Sequence, residues 1–317
     1  MTVIEAKHLC RRFGRNLALN DVSFTIRERE MVGLVGPNGA GKSTTMNILS
    51  GYLAPTSGSV TVCGIDLAAE PVRARRHIGY LPETPPLYPD MTVEEQVRFA
   101  CRLSGQKKGK DLEERVDALC EKTHVQNMRK RLIKSLSKGY RQRTAMAQLL
   151  AGDPDILILD EPTAGLDPRQ IREFCDLFLE LGQSHTVIFS SHILSEINSI
   201  CSRILIFEAG KLLSDGSLQQ WQQELQQESA LCLRVRKGGD SLAGRIGSIS
   251  AVRQVRAVPC EDPEAEEFLI TADYSRDLMQ DLNLAVHQSG SDILMLQPQK
   301  LSLEEIYLRI TENEERT

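Results

Sequence analysis

The 317-residue chain has no pair of cysteines at the close spacing of a zinc knuckle or a redox motif. Its eight cysteines, at 10, 63, 101, 120, 175, 201, 232 and 260, are scattered. That excludes a disulfide framework and favours a reducing compartment, with all eight expected to be small buried hydrophobes. No apolar run is long enough to span a bilayer, the longest being of the kind Ile156–Leu159. The opening MTVIEAKHLCRRFG has no apolar core with a cleavage site, so no secretory signal is expected. An excess of positive charge is also missing: 38 Lys and Arg stand against 43 Asp and Glu, a net charge of −5. That balance argues against nucleic acid as a partner.

What remains is an ordinary globular composition, 41% hydrophobic and 26% charged, in a chain long enough for one large domain and a small one. Val22, Phe24 and Ile26 alternate as in a strand, and the first thirty or so residues read as mostly β. Met31–Val35 is a short apolar strand that runs into GPNGAGKST and then into the helical pattern Thr45–Leu49. Ile156–Leu159, Thr186–Phe189 and Ile204–Phe207 read as further core strands, the first two each followed by a helix. The alternation predicts a doubly wound α/β core.

A helical insertion over about 90–151 interrupts it. Thr92 and Glu95 form a capping box, Asp111–Thr123 is amphipathic, and a third helix follows Ser137. A glutamine-rich bridging helix, Gln219–Gln227, leads to a second pattern. There Leu231–Arg236, Ala251–Val258, Phe268–Thr271 and Ile293–Leu296 are strands, Leu278–His287 is a helix, and Leu303–Ile310 is a closing helix. Strand, helix, strand, strand, helix, strand predicts a small α+β ferredoxin-like domain. The expected boundaries are 1–220 and 221–317.

Chemistry concentrates in the first part. Gly36, Pro37, Asn38, Gly39, Ala40, Gly41, Lys42, Ser43 and Thr44 match a phosphate-binding loop between a strand and a helix. Its glycines let backbone N–H groups point at phosphate oxygens, and the helix adds its positive end. Lys42 is placed to reach β- and γ-phosphates, and the Ser43 hydroxyl to ligate Mg²⁺. ILILDEP, from Ile156, ends an apolar strand in two carboxylates: Asp160 for Mg²⁺ and Glu161 to polarise the attacking water.

With these two motifs, LSKGY at Leu136–Tyr140 makes the chain resemble the ABC ATPase family. The segment resembles that family's LSGGQ signature and departs from it at Lys138 and Tyr140, keeping the serine and the second glycine. The resemblance implies a RecA-like P-loop NTPase core with an N-terminal antiparallel β subdomain. It also implies a homodimer in which Ser137 and Gly139 of one copy meet the γ-phosphate of ATP held by the other.

By the same resemblance, Asp167 in AGLD belongs to a D-loop that bridges to the second copy. His192 in SSH is a switch histidine at the γ-phosphate, and Phe13 stacks on adenine. Glu83, ending GYLPE, stands where the family usually has a glutamine near Mg²⁺ and the attacking water. Its extra charge either strengthens metal binding or raises a neighbouring carboxylate's pKa.

GYLPE and LSKGYRQR together resemble the export-type subgroup, whose separate transmembrane permeases would seat a helix near Glu83 and Tyr88. A C-terminal extension ending like Leu301–Ile310 often accompanies it. The expected place is the cytoplasmic face of the cell membrane. The alternative is a soluble ABC ATPase acting on ribosomes or nucleic acid. No tandem nucleotide domain, coiled coil, zinc module or basic surface is visible for that role.

Overall fold

The computed structural model describes residues 1–225, 229–236, 242–260, 262–272, 276–298 and 303–315. The chain divides into two compact units, one built mainly from Met1–Ser217 and the other from Leu218–Asn313.

The first unit begins with β1 (Thr2–Phe13) and β2 (Asn16–Arg27), followed by β3 (Met31–Val35), α1 (Lys42–Leu49), β4 (Ser57–Val62), β5 (Ile65–Asp66), α2 (Pro71–Arg75) and β6 (Ile78–Leu81). The insertion supplies α3 (Val93–Leu103), α4 (Lys110–Lys122) and α5 (Lys138–Leu150). The core resumes with β7 (Ile156–Asp160), α6 (Pro168–Gly182), β8 (Thr186–Ser190), α7 (Leu194–Ile200), β9 (Arg203–Glu208) and β10 (Lys211–Gly216).

Two sheets result, ordered β2-β1-β4-β5 and β10-β9-β3-β8-β7-β6. The first is antiparallel, and its alternating inward residues, among them Ile4, Leu19, Val22 and Ile26, are fully buried. In the second, β9, β3, β8, β7 and β6 run parallel and only β10 is antiparallel. Every residue of β7 and β8 is buried. A parallel strand covered on both faces has no polar side, which is why the interiors of β7 and β8, ILIL and VIF, read as unbroken apolar runs. Both sheets share one core around Ile4, Leu34, Met46, Ile158 and Phe207.

The insertion packs Val97 and Cys101 of α3 with Val116 and Leu119 of α4 among its buried residues. The capping box forms: Thr92 Oγ1 accepts from Glu95 N at 3.3 Å, and Thr92 N donates to Glu95 Oε2 at 2.8 Å. Glu94, Arg98, Glu113 and Arg129 knit the outer face, with Arg98–Glu113 at 2.7 Å and Arg129–Glu94 at 2.9 Å.

The second unit contains α8 (Leu218–Leu225), β11 (Ser229–Arg236), α9 (Leu242–Gly247), β12 (Val252–Val258), β13 (Ala265–Ala272), α10 (Arg276–Gln288), β14 (Ile293–Pro298) and α11 (Leu303–Glu315). Its sheet is antiparallel throughout, in the order β12-β13-β11-β14. Leu231, Leu233, Phe268 and Ile270 pack on Leu242, Ile246, Leu278 and Leu282. Gln226 and Gln227 of the expected bridging helix, and Leu301 of the closing segment, lie outside the described residues. Among the described residues no helix is long and apolar enough to cross a membrane.

One expectation needs correction. All eight cysteines are free thiols, but only Cys101, Cys120 and Cys232 are buried; the other five are half-buried. Those five include Cys63 in the turn after β4 and Cys201 just past α7, both outside regular elements.

Candidate functional site

The chain leaves β3 at Val35 and wraps tightly before α1. Gly36 has φ 154°, and a Cβ there would lie 2.2 Å from the Phe207 carbonyl oxygen, so no side chain fits. Gly41 caps α1 with φ 106°, and a Cβ there would fall 2.9 Å from the Ala18 carbonyl oxygen. Ala40 is buried, its N–H donating to Pro37 O at 3.1 Å and its carbonyl accepting from Gly210 N at 3.1 Å. The loop is therefore held from behind by the β9–β10 hairpin. In front, α1 begins with no side-chain cap and no acidic residue in its first turn. Its leading N–H groups and positive end are left for an anion.

Lys42 is only 6% exposed, and its Nζ donates to Gly36 O at 2.7 Å and Pro37 O at 3.1 Å. Burial pushes its pKa down, while the nearby Glu161 and Asp160 carboxylates partly offset that. At the end of β7, Asp160 Oδ1 accepts from Ser43 Oγ at 3.2 Å and from Ser190 Oγ at 2.7 Å. The Ser190 hydroxyl in turn accepts from Glu161 N at 2.9 Å.

One serine thus fixes both acids. Glu161 itself sits at φ 47°, a left-handed conformation uncommon for glutamate, of the kind found where neighbours over-determine a functional side chain. Its Oε2 bonds His192 Nδ1 at 2.7 Å. Behind them the buried Glu196 accepts from Thr163 Oγ1 at 2.7 Å and Ser191 Oγ at 2.8 Å, clasping the segments that follow Glu161 and precede His192.

Phe13, Asn38, Gly39, Gly41, Lys42, Ser43, Thr44, Glu83, Glu161 and His192 all line one open cleft of about 650 Å³, a size that admits a nucleotide. Gly36, Pro37, Ala40 and Asp160 support it from beneath. Asn16, Ala18 and Ala164 also line it without belonging to a nucleotide motif, and Ser190 of SSH and the nearby Glu196 support it although the sequence gives neither a role.

Three expected residues lie elsewhere. Gly139 and Asp167 line a different cleft, with Tyr140, Arg143 and Gln170. Ser137 caps α5, accepting from Tyr140 N at 3.5 Å, and lines neither cleft. Asp167 caps α6 through bonds of 3.0 and 2.9 Å from Arg169 N and Gln170 N. The two clefts share no lining residue.

The ABC transporter family model matches residues 19–164, which takes in the phosphate loop, the α5 tip and the β7 carboxylates. An uncharacterized ABC transporter ATP-binding protein, YxlF of Bacillus subtilis (strain 168), is 33% identical over 309 residues, 97% of this chain and 99% of that protein. The chain belongs to the ABC transporter ATP-binding family. Nod factor export ATP-binding protein I of Cupriavidus pinatubonensis (strain JMP 134 / LMG 1197) is 33% identical over 68% of this chain and 66% of that protein. Among solved structures, the ATP-binding cassette MJ0796, in a dimeric post-hydrolysis state bound to ADP and Pi, aligns with TM-score 0.62. It is 26% identical and covers 68% of this chain and 98% of that one.

As a member of the family this chain is an ATP-binding, ATP-hydrolysing subunit of an ABC transporter with a P-loop NTPase core. The likeness to YxlF runs through the second unit as well, whereas the cassette alignment covers about two thirds of the chain.

Proposed function

We propose that two copies of this chain close head to tail around two Mg²⁺-ATP molecules and drive export through separate transmembrane subunits on the cytoplasmic face of the membrane. The observation that carries the reading is the separation of the two half-sites: the Gly139 and Asp167 cleft shares no lining residue with the phosphate-loop cleft. A dimeric relative bound to ADP and Pi and a relative named for export support it.

In this reading the loop amides from Gly36 to Thr44 and the Lys42 ammonium take the β- and γ-phosphates, and Phe13, 46% exposed, offers its ring to adenine. The Ser43 and Asp160 oxygens, with the Glu83 carboxylate at the cleft wall, are the hard donor set that Mg²⁺ prefers. Bound there, the ion would neutralise charge on the phosphates. Glu161 accepts the proton of the attacking water or orients it, and His192 holds the Glu161 carboxylate in place. Ser137 and Gly139 of the second copy close over the γ-phosphate with the positive end of α5, and Asp167 reaches across the same seam.

Tyr88 is half exposed beside a groove lined by Glu83, Pro85, Leu87, Pro89 and Ile133, where a permease helix would read the state of the nucleotide. We assign the second unit to a ferredoxin-like accessory domain with a stabilising or dimerising role, on its β-α-β-β-α-β succession.

Subunit mixing tests the shared site. Lys42→Ala and Ser137→Ala chains are each expected to be inactive alone. A mixed dimer contains one intact site, so equal mixing restores about a quarter of wild-type sites under random pairing. A mixture as dead as its components would show that each site is built within one chain.

A further inference from the structure

At the far end of the parallel sheet, three ligand-type side chains converge from distant parts of the sequence. Cys63 lies in the two-residue turn between β4 and β5, His77 just before β6, and Asp155 just before β7. One ligand atom from each lies within 4.8 Å of the other two. We propose that Cys63, His77 and Asp155 form a binding site for a divalent first-row transition-metal ion, Zn²⁺ by its ligand chemistry, with a fourth position open to solvent.

The backbone under each ligand is fixed. Cys63 N donates to Val3 O at 2.8 Å, Ile156 N to His77 O at 2.9 Å, and Thr186 N to Asp155 O at 3.0 Å. Ligands held on strand ends keep their spacing without the ion, which lowers the ordering cost of binding it. His77 Nδ1 and Asp155 Oδ2 already face each other in a hydrogen bond of 2.5 Å, and a bound ion would take the place of the proton they share. The imidazole is about one-third exposed and the carboxylate about two-thirds. The carboxylate is free to swing so that the three donors spread to the roughly 3.5 Å mutual spacing of a tetrahedral ion with bonds of about 2.0–2.3 Å.

One sulfur, one nitrogen and one oxygen make a borderline-soft set that favours Zn²⁺ or Co²⁺ over Mg²⁺. Cys63 has φ 49° and Gly64 φ 77°, a pair of left-handed residues in a turn where asparagine or glycine is the usual first choice. The turn geometry alone does not call for a cysteine.

This site is independent of the nucleotide cleft. Asp155 and Asp160 bracket β7, about 16 Å apart along an extended strand. The ion would pin the β4–β5 turn of the antiparallel sheet to the leading ends of two core strands.

The test is Co²⁺ titration of the full-length reduced protein with excess Mg²⁺ present, so that hard oxygen sites are filled. One equivalent is expected to produce tetrahedral ligand-field bands and a thiolate-to-cobalt charge-transfer band, both displaced by Zn²⁺. Cys63→Ser should abolish the charge-transfer band, and Asp155→Asn should weaken binding at least about tenfold. Both variants should keep wild-type circular dichroism and Mg²⁺-dependent ATP hydrolysis, so failure of this site is distinguishable from failure of the nucleotide site. A charge-transfer band that is absent, or that survives Cys63→Ser, overturns the proposal, as does an affinity that Asp155→Asn leaves unchanged.

Discussion

Exchanging Glu161 for glutamine isolates the hydrolytic step. The side chain keeps its length, the Ser190 bond to the 161 N–H is untouched, and the amide oxygen still accepts from His192 Nδ1. No buried partner is orphaned, so fold and nucleotide pocket persist. What disappears is the carboxylate that draws a proton from water. General-base removal costs about 10²–10⁴ in rate, or about 3–5 kcal/mol of barrier.

Glu161→Gln should therefore bind ATP, release phosphate at least about a hundredfold more slowly than the parent chain, and accumulate as an ATP-bound dimer on sizing. A second consequence follows from Lys42. Glu161 is the larger of the two carboxylate influences that hold the Lys42 pKa up against burial. Neutralising it lowers that pKa further, so ATP binding by the variant should weaken at a lower alkaline pH than in the parent. Turnover within tenfold of the parent would remove Glu161 from its role, and lost ATP binding would refute the claim that the pocket is undisturbed.

Gly36→Ala drives a methyl to 2.2 Å from a backbone oxygen that cannot rotate away, so a loss of about 3 kcal/mol or more is expected, read as a fall in urea midpoint. Phe13→Ala removes a half-exposed ring. Folding stability should change by under about 1 kcal/mol while ATP affinity falls about tenfold, the worth of one base stack.

Glu94 tests the insertion. Its hydrogen bond from Arg98, reinforced by Arg129 and opposed by burial, holds its pKa below the ordinary glutamate value. The stabilisation is present above the unfolded value of about 4.3 and is lost as pH falls through the lower folded value. Glu94→Gln should flatten the fall in thermal midpoint across that acid window, and an unchanged acid slope would count against it.

The readable parts of this protein are those whose cause is local. β7 and β8 announce themselves because strands buried on both faces tolerate no polar interruption. The start of α3 is legible because Thr92 and Glu95 satisfy each other's backbone within one turn. The phosphate loop is legible because Gly36, Gly39 and Gly41 all take positive φ within one short segment. Ser190 carries no such local signal because its task, fixing Asp160 and Glu161 together, exists only once β8 lies beside β7. Glu196 reads as one more acid on an amphipathic helix until its carboxylate is seen bridging Thr163 and Ser191. Cys63, His77 and Asp155 have no recognisable spacing because three strand ends, not one motif, bring them together.

The departure of LSKGY from its family pattern shows how a local irregularity is absorbed. A lysine at 138 places a long cation where the family pattern has a glycine, immediately between the two residues expected to meet phosphate. In the folded chain that side chain turns onto the D-loop: a Cβ at Gly165, where φ is 68°, would lie 2.7 Å from Lys138 Nζ. The lysine is accommodated because residue 165 has no side chain. Gly139 is similarly pressed, since a Cβ there would meet Gln170 Oε1 at 2.7 Å. The α5 tip thus lies close to Gly165 and to the first turn of α6. In the proposed dimer, Lys138 belongs to the seam that transmits closure, and its charge adds to the positive end of α5 facing the second copy's nucleotide.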